Sequence, residues 1–321
     1  MTAAKLGAGS TDYYESTVAE GARIPGADMT DYYGEAGDAA ARVFVVGRAG
    51  GDRAQMESYL GVGDGQVLDG LMVGAWFNEP IAPSGASLGR AYSERSVYGY
   101  DVTTAAPKSV SMLWGLSDDA VVHEQIVAAH EAAIRSALGY LSEHAGYTRV
   151  HNPVTGQKDL VRTLGLSGVT YQHRTSRAGD PHLHTHVLIH NRQVRADGGG
   201  VGSLDGQSLL HELKAGGSIY QAALRAELSQ RLGVSWKDVD PTTGQADLKH
   251  VSREHIEAWS QRHNQISAWT DEHLSGADAG VSAAQLAQAQ KATREHKETG
   301  ASDEQLRAQW RSDVRAQGLD V

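Results

Sequence analysis

A chain of 321 residues, 40% of them hydrophobic, is long enough for one large domain or two ordinary ones and for a substantial core. The absence of cysteine excludes disulfides and thiolate-held zinc or iron–sulfur centres, so any metal must sit on His, Asp, Glu or backbone oxygen. A formal net charge of −10 argues against a nonspecific nucleic-acid coat, and no apolar run approaches the roughly 20 residues that span a bilayer.

The N-terminal MTAAKLGAGSTDYY lacks the apolar centre of a secretory signal, which makes the cytoplasm the expected compartment. Residues 1–40 are polar and Gly-rich and hold two tyrosine pairs, Tyr13-Tyr14 and Tyr32-Tyr33. The run ARVFVVG, 41–47, reads as a short buried strand. Residues 61–99 are rich in Gly, Pro and Ser around an apolar insert, Leu71–Phe77, and read as a loop with short elements. Asp101–Thr104 reads as a strand, and Pro107-Lys108 opens a new segment. Val122, Ile126, Ala129, Ala133, Leu138 and Leu141 have helical spacing and predict a helix over 119–145.

Two strands are expected next, at 166–173 and 183–191, separated by the breaker Gly179-Asp180-Pro181. ADGGG is a loop, and a long helix follows at 207–232, weakened in its first half by Gly216-Gly217. From about residue 240 strand-like runs stop. Segments 251–275, 282–298 and 302–317 look helical, with Ser252, Ser282 and Ser302 as N-caps. The expected organisation is a mixed α/β body, 1–240, and a helical C-terminal region, 241–321, of the same module. No GxxxxGK[ST] run is present, so the sequence holds no P-loop ATPase.

Charge is unevenly placed. Residues 111–200 carry eight Lys/Arg, eight Asp/Glu and nine of the 15 histidines, whereas 201–321 carry 13 basic and 17 acidic residues. The densest chemical signal lies in the neutral middle, as His173-(x10)-His184-x-His186. Residues two apart on a strand project to the same face, so His184 and His186 point together. If the two strands pair around the 179–181 turn, His173 reaches them. Three neutral imidazoles with open positions would make a catalytic metal site rather than a closed structural one. His182 and His190 share the parity of His184 and His186, and pattern alone does not choose three of the five. Ordinary packing is the competing reading for each.

The tyrosine pairs are not specific in themselves. Tyr13 and Tyr14 stand out because their segment lacks other large apolar residues. A phenol has a pKa near 10 and needs a base or a nearby cation to act as a nucleophile. An acid at a strand end, such as Asp101, could serve, or could simply form a turn or cap.

Together, HRTSRAGDPHLHTHVLIHN, DVTTAAPKSVS and DYYGEAGDA resemble the MobF-type (TrwC/TraI-like) conjugative relaxases of the HUH endonuclease superfamily. SLDGQSLL, YQAALRAELSQRLGVSW, SQRHNQI and LRAQWRSDVRAQGLD extend the likeness over nearly the whole chain. The resemblance implies an α+β fold, an antiparallel β-sheet palm with flanking helices and a helical C-terminal region. It implies one divalent metal ion (Mg, Mn or Zn) on His173, His184 and His186, with Asp101 orienting or deprotonating the nucleophile. Tyr13 matches the first nucleophilic tyrosine, beside Tyr14, and Tyr32 the second pair, which in some members acts in a later strand transfer. Lys108, Arg174 and Arg177 fall in motif segments and are expected to meet DNA phosphates. The insert EGARIPGAD between the pairs, and AARVFVVG after the second, depart from the family pattern.

The implied activity is nicking and rejoining of one strand of DNA at a transfer origin, through a 5′-phosphotyrosyl link. The implied partners are single-stranded DNA with an adjacent hairpin, accessory DNA-binding proteins and type IV secretion coupling proteins, with passage into a recipient cell alongside the DNA. Two rivals remain: a metal-dependent nuclease using activated water, and a non-catalytic origin-binding protein.

Overall fold

The computed structural model describes residues 1–12, 14–15, 40–49, 52–274, 281–293 and 303–316. Its centre is a five-stranded antiparallel sheet in the order β1-β3-β7-β6-β2. The strands are β1 (Thr2–Leu6), β2 (Arg42–Gly47), β3 (Gly99–Ala105), β6 (Gly165–Thr175) and β7 (Pro181–His190). Two hairpins lie outside it, β4 (Tyr147–His151) with β5 (Lys158–Arg162), and β8 (Arg192–Val194) with β9 (Val201–Ser203).

The helices are α1 (Arg53–Leu60), α2 (Gly70–Asn78), α3 (Lys108–Leu116), α4 (Ala120–Ala145), α5 (Gly206–Leu232), α6 (Arg253–Ala258), α7 (Gln261–Leu274), α8 (Ala283–Ala292) and α9 (Asp303–Ala316). None in the described residues is long and apolar enough to cross a membrane.

Strand alternation divides the core in two. Leu183, Val187 and Ile189 of β7 face one side, where Ile126, Ala133 and Leu141 of α4 and Leu209, Tyr220 and Leu224 of α5 pack on them. Leu188 of β7, with Val169 and Tyr171 of β6, faces the other side, where α1 and α2 supply Met56, Val73, Trp76 and Phe77. Each buried Leu or Ile contributes about 1.5–3 kcal/mol relative to exposure. This second face is covered at one end of the strands. At the other end it carries the histidines.

The α4 helix begins at the N-cap Asp119, whose carboxylate accepts from Val121 N at 2.8 Å. Gly216 and Gly217 do not interrupt α5. A Cβ on Gly216 would stand 3.3 Å from Leu141 and one on Gly217 would stand 3.0 Å from the Met1 nitrogen, so these glycines serve close packing.

Several elements differ from the sequence reading. The insert at 71–77 is a helix, N-capped by Asp69, because Val73, Trp76 and Phe77 bury on one side. The segment 1–6 forms an edge strand, which small residues and a single buried Leu6 had concealed. The hairpin 147–162 is also present, turned by Asn152 accepting from Val154 N and Thr155 N. The stretch 251–275 is two helices, broken at Trp259-Ser260. Ser252 caps α6 through His255 N at 3.1 Å, and Ser282 forms a capping box with Gln285. Ser302 lies outside the described residues.

Candidate metal centre and tyrosine site

The central strand β7 carries the HxH pair between β3 and β6. In register, His173 lies opposite His184, Tyr171 opposite His186, and Thr103 of β3 opposite His186 on its other side. Cross-strand pairing therefore gathers the imidazoles onto one patch of sheet. The ring centroids lie 5.2 Å apart for His173–His184, 5.0 Å for His173–His186 and 5.3 Å for His184–His186. One ligand nitrogen from each lies within 4.8 Å of the others.

Hydrogen bonds settle the tautomers of two rings. His186 Nδ1 stands 2.9 Å from Asp101 Oδ2 and 3.0 Å from Oδ1, and a carboxylate only accepts, so Nδ1 carries the proton. His184 Nδ1 likewise donates to the His182 carbonyl at 2.8 Å. In both rings Nε2 keeps its lone pair for a ligand. Burial holds the His184 imidazole well below the ordinary histidine range, so the neutral, ligating form is favoured. This donor set fits one divalent ion with further positions open.

The other two histidines of the sequence pattern part company here. His182 lines the same cavity, its ring stacked on His184 at 4.5 Å and its pKa pushed down to about 4 by burial. His190 is fully buried under α2, edge-on to Phe77 at 5.1 Å, and is a packing residue.

Asp101 joins the metal patch to a phenol. Tyr14 Oη donates to Asp101 Oδ2 at 2.7 Å, while Thr103 Oγ1 donates to Oδ1 at 3.4 Å. The Tyr14 ring lies 5.2 Å from that of His186 and 6.5 Å from that of His173, and it is 6% exposed. Tyr13 and Tyr32 lie outside the described residues.

A cavity of about 710 Å³ opens over the histidines, and Lys108 and Arg177 line it. Lys108 Nζ donates to the Pro181 carbonyl at 2.9 Å, and burial pulls its pKa down to about 8 against the opposing pull of Asp180. Arg174, one residue past His173, alternates to the opposite face. There it lines a separate cavity, with its guanidinium 5.8 Å from the Trp114 ring centroid.

The APKSVS segment acts largely as a brace. Ser111 Oγ accepts from Leu183 N at 3.1 Å, and Ser109 Oγ donates to Asp247 Oδ1 at 2.6 Å.

The helical region reaches the same centre. Ser260, Arg262, His263 and Ile266 line the cavity, although the sequence reading assigned them no role. Asp180, in the β6–β7 turn, accepts from Arg262 N at 3.4 Å, and Trp310 Nε1 donates to the Gly179 carbonyl at 2.8 Å. The turn of this hairpin is thus tied to α7 and α9.

An open three-imidazole cluster, with a phenol and a carboxylate beside it on an antiparallel sheet, defines a domain equipped to hold a divalent metal next to a tyrosine. The TrwC relaxase family model matches residues 7–317. The multifunctional conjugation protein TraI of Escherichia coli is 30% identical over 250 residues, covering 74% of this chain and 13% of that protein. A second TraI, from E. coli strain K12, is 39% identical over 111 residues, or 34% of this chain and 6% of the other. This chain therefore spans only a small part of the length of these relatives.

Among solved structures, the copper-bound conjugative relaxase TrwC in complex with oriT DNA superposes with a TM-score of 0.77 at 25% identity, covering 99% of each chain. A metal-bound TrwC–oriT structure gives 0.76 at 26% identity, again over 99% of each. The chain belongs to the TrwC relaxase family.

Proposed function

We propose that this domain nicks one strand of DNA at a transfer origin, holds the 5′ end as a phosphotyrosyl ester and later rejoins the strand. The observation that carries the reading is the convergence of His173, His184, His186, Asp101 and Tyr14 at one cavity.

His173, His184 and His186 would hold a divalent ion, which would supply neutralisation of charge at the scissile phosphate. The residues of the chain supply the rest. A phenol attacks phosphorus in line, the new Tyr O–P bond replaces the bond to the 3′-oxygen, and the phenolic proton ends on that leaving oxygen. Reversal closes the strand, and because the ester conserves the bond energy no nucleotide cofactor is consumed.

Tyr14 is enclosed and committed to Asp101, so we assign attack to its neighbour Tyr13 and an orienting role to Tyr14 and Asp101. Tyr32 is assigned to the later strand transfer. Lys108 and Arg177 meet phosphates at the cavity, and single-stranded DNA follows it with bases stacked or pocketed. A three-imidazole set suits Mn²⁺ or Zn²⁺ by ligand softness, whereas Mg²⁺ prefers oxygen. We place the domain in the cytoplasm, working with accessory DNA-binding and type IV secretion coupling proteins and passing with the DNA into a recipient. The body 1–240 and the region 241–321 form one catalytic module.

The test is mass spectrometry of a proteolysed protein–oligonucleotide adduct formed in Mn²⁺. An adduct on the peptide holding Tyr13, lost in Tyr13→Phe, is expected. Cleavage without an adduct, surviving in Tyr13→Phe, would sink the transesterase reading in favour of an activated water.

A further inference from the structure

Tyr171 and Glu15, neither of which lines the cavity, tie the segment at Tyr14 to the strand that carries His173. Tyr171 lies on β6 two residues before His173, so alternation places both on one face. It is fully buried, and its ring stacks on Tyr14 with centroids 5.1 Å apart and an interplanar angle of 23°. Its hydroxyl donates to Glu15 Oε1, on the residue that follows Tyr14.

Two successive residues are therefore anchored to different strands, Tyr14 to β3 through Asp101 and Glu15 to β6 through Tyr171. The Glu15 carboxylate is also wedged against Gly70 at the start of α2, where a Cβ would come within 2.5 Å of Oε2.

Such a clamp matters because an in-line transfer depends on nucleophile placement, and a displacement of ~1 Å can cost ~100-fold in rate. We propose that Tyr171 and Glu15 are positioning residues, which hold the backbone at Tyr14 and Glu15, next in sequence to the proposed nucleophile, at a set distance from the three histidines during cleavage and rejoining. This rests on the transesterase reading above. Since neither side chain lines the cavity, their loss should slow the chemical step without weakening the grip on DNA or metal.

The experiment is single-turnover adduct formation by the whole chain with a labelled single-stranded oligonucleotide in Mn²⁺. Tyr171→Phe keeps the stacked ring and removes only the donor. The expected result is a rate at saturating DNA lowered by about 10-fold or more, with the KM for DNA and the Mn²⁺ affinity within about twofold of wild type. Glu15→Ala should match it, Glu15→Gln should recover most of the rate through its carbonyl acceptor, and the double variant should be no slower than either single. Should Tyr171→Phe fold poorly, the Glu15→Ala and Glu15→Gln pair carries the same comparison. Rates within twofold of wild type in Tyr171→Phe and Glu15→Ala overturn the inference. So does a loss of rate matched by an equal loss of Mn²⁺ affinity or by a lowered melting temperature. Absence of any adduct in wild type overturns the transesterase reading itself, and this inference with it.

Discussion

Tyr14 and His186 meet on a single oxygen: Asp101 Oδ2 accepts the phenol at 2.7 Å and the imidazole Nδ1–H at 2.9 Å. One carboxylate thus fixes the tautomer of a proposed metal ligand and the place of the tyrosine beside it. Asp101→Asn keeps the shape but offers only one accepting oxygen. Its Mn²⁺ affinity should fall about 10- to 100-fold in calorimetric titration, the usual effect of losing a partner behind a metal-bound histidine. Wild-type affinity in Asp101→Asn would show that His186 orients without it.

Metal binding should tolerate mild acid. Imidazoles must be neutral to ligate, and an ordinary histidine protonates near pH 6.5. Burial depresses His184 well below that, so the proton competes poorly with the ion there. Titration of Mn²⁺ binding against pH should give a midpoint of loss below 6.5, and His184→Ala should bind at least about 10-fold more weakly at every pH. A midpoint at or above 6.5 would contradict the burial argument.

His130 makes the fold acid-sensitive. It is fully buried, with Nδ1 2.7 Å from Tyr220 Oη and Nε2 2.9 Å from Thr185 Oγ1, under the strand between His184 and His186. Burial pushes its pKa down to about 3. Below pH 6.5 the unfolded chain takes up a proton that the folded chain refuses. The contribution is therefore complete above 6.5 and is lost as pH falls toward about 3, at about 1.4 kcal/mol per pH unit. Urea denaturation of metal-free protein at pH 7, 6 and 5 should show this slope, added to those of His182 and His190, each pushed down to about 4 by burial, and of His184, also lowered by burial. His130→Gln should be less stable at pH 7 and flatter by about one proton; an unchanged slope would refute the assignment.

The C-terminal helix should matter to the metal. Trp310 is 3% exposed, stands edge-on to Trp114 at 6.1 Å and donates to the Gly179 carbonyl in the metal hairpin's turn. Trp310→Ala removes that burial at a cost of about 3–5 kcal/mol and releases the turn. Thermal melting should show the lost stability, and Mn²⁺ affinity should fall with it. Wild-type metal affinity in a destabilised variant would show that the hairpin holds its geometry alone.

Much of the centre was legible before any coordinates. The period-2 pattern of LHTHVLIH put His184 and His186 on one face, and the Gly179-Asp180-Pro181 breaker implied the hairpin that returns His173. Alternation also explains why Arg174, adjacent to a ligand, lies on the other face, and it could have flagged Tyr171 beside His173. Other parts left no local signal. The edge strand Thr2–Leu6 has only one buried apolar residue, Leu6, and the helix at 70–78 is short and surrounded by turn formers, so long-range packing decided both.

By itself the sequence determined the chemistry available: no thiols, a histidine set at hairpin spacing, tyrosines beside acids, and the motifs that mark the family. It also determined the alternation that aims those side chains, because strand and helix periods are local properties of the backbone. Alternation left five histidines open and the resemblance pointed to three; the tertiary structure shows those three brought together. His190 has the parity of the ligands, but α2 covers its end of the sheet, while the end holding His173, His184 and His186 stays open. Only the tertiary structure set Tyr14 on Asp101, 87 residues away, and Trp310 on Gly179, 131 residues away. Contacts at such separations depend on how whole elements pack, which no window of neighbouring residues encodes.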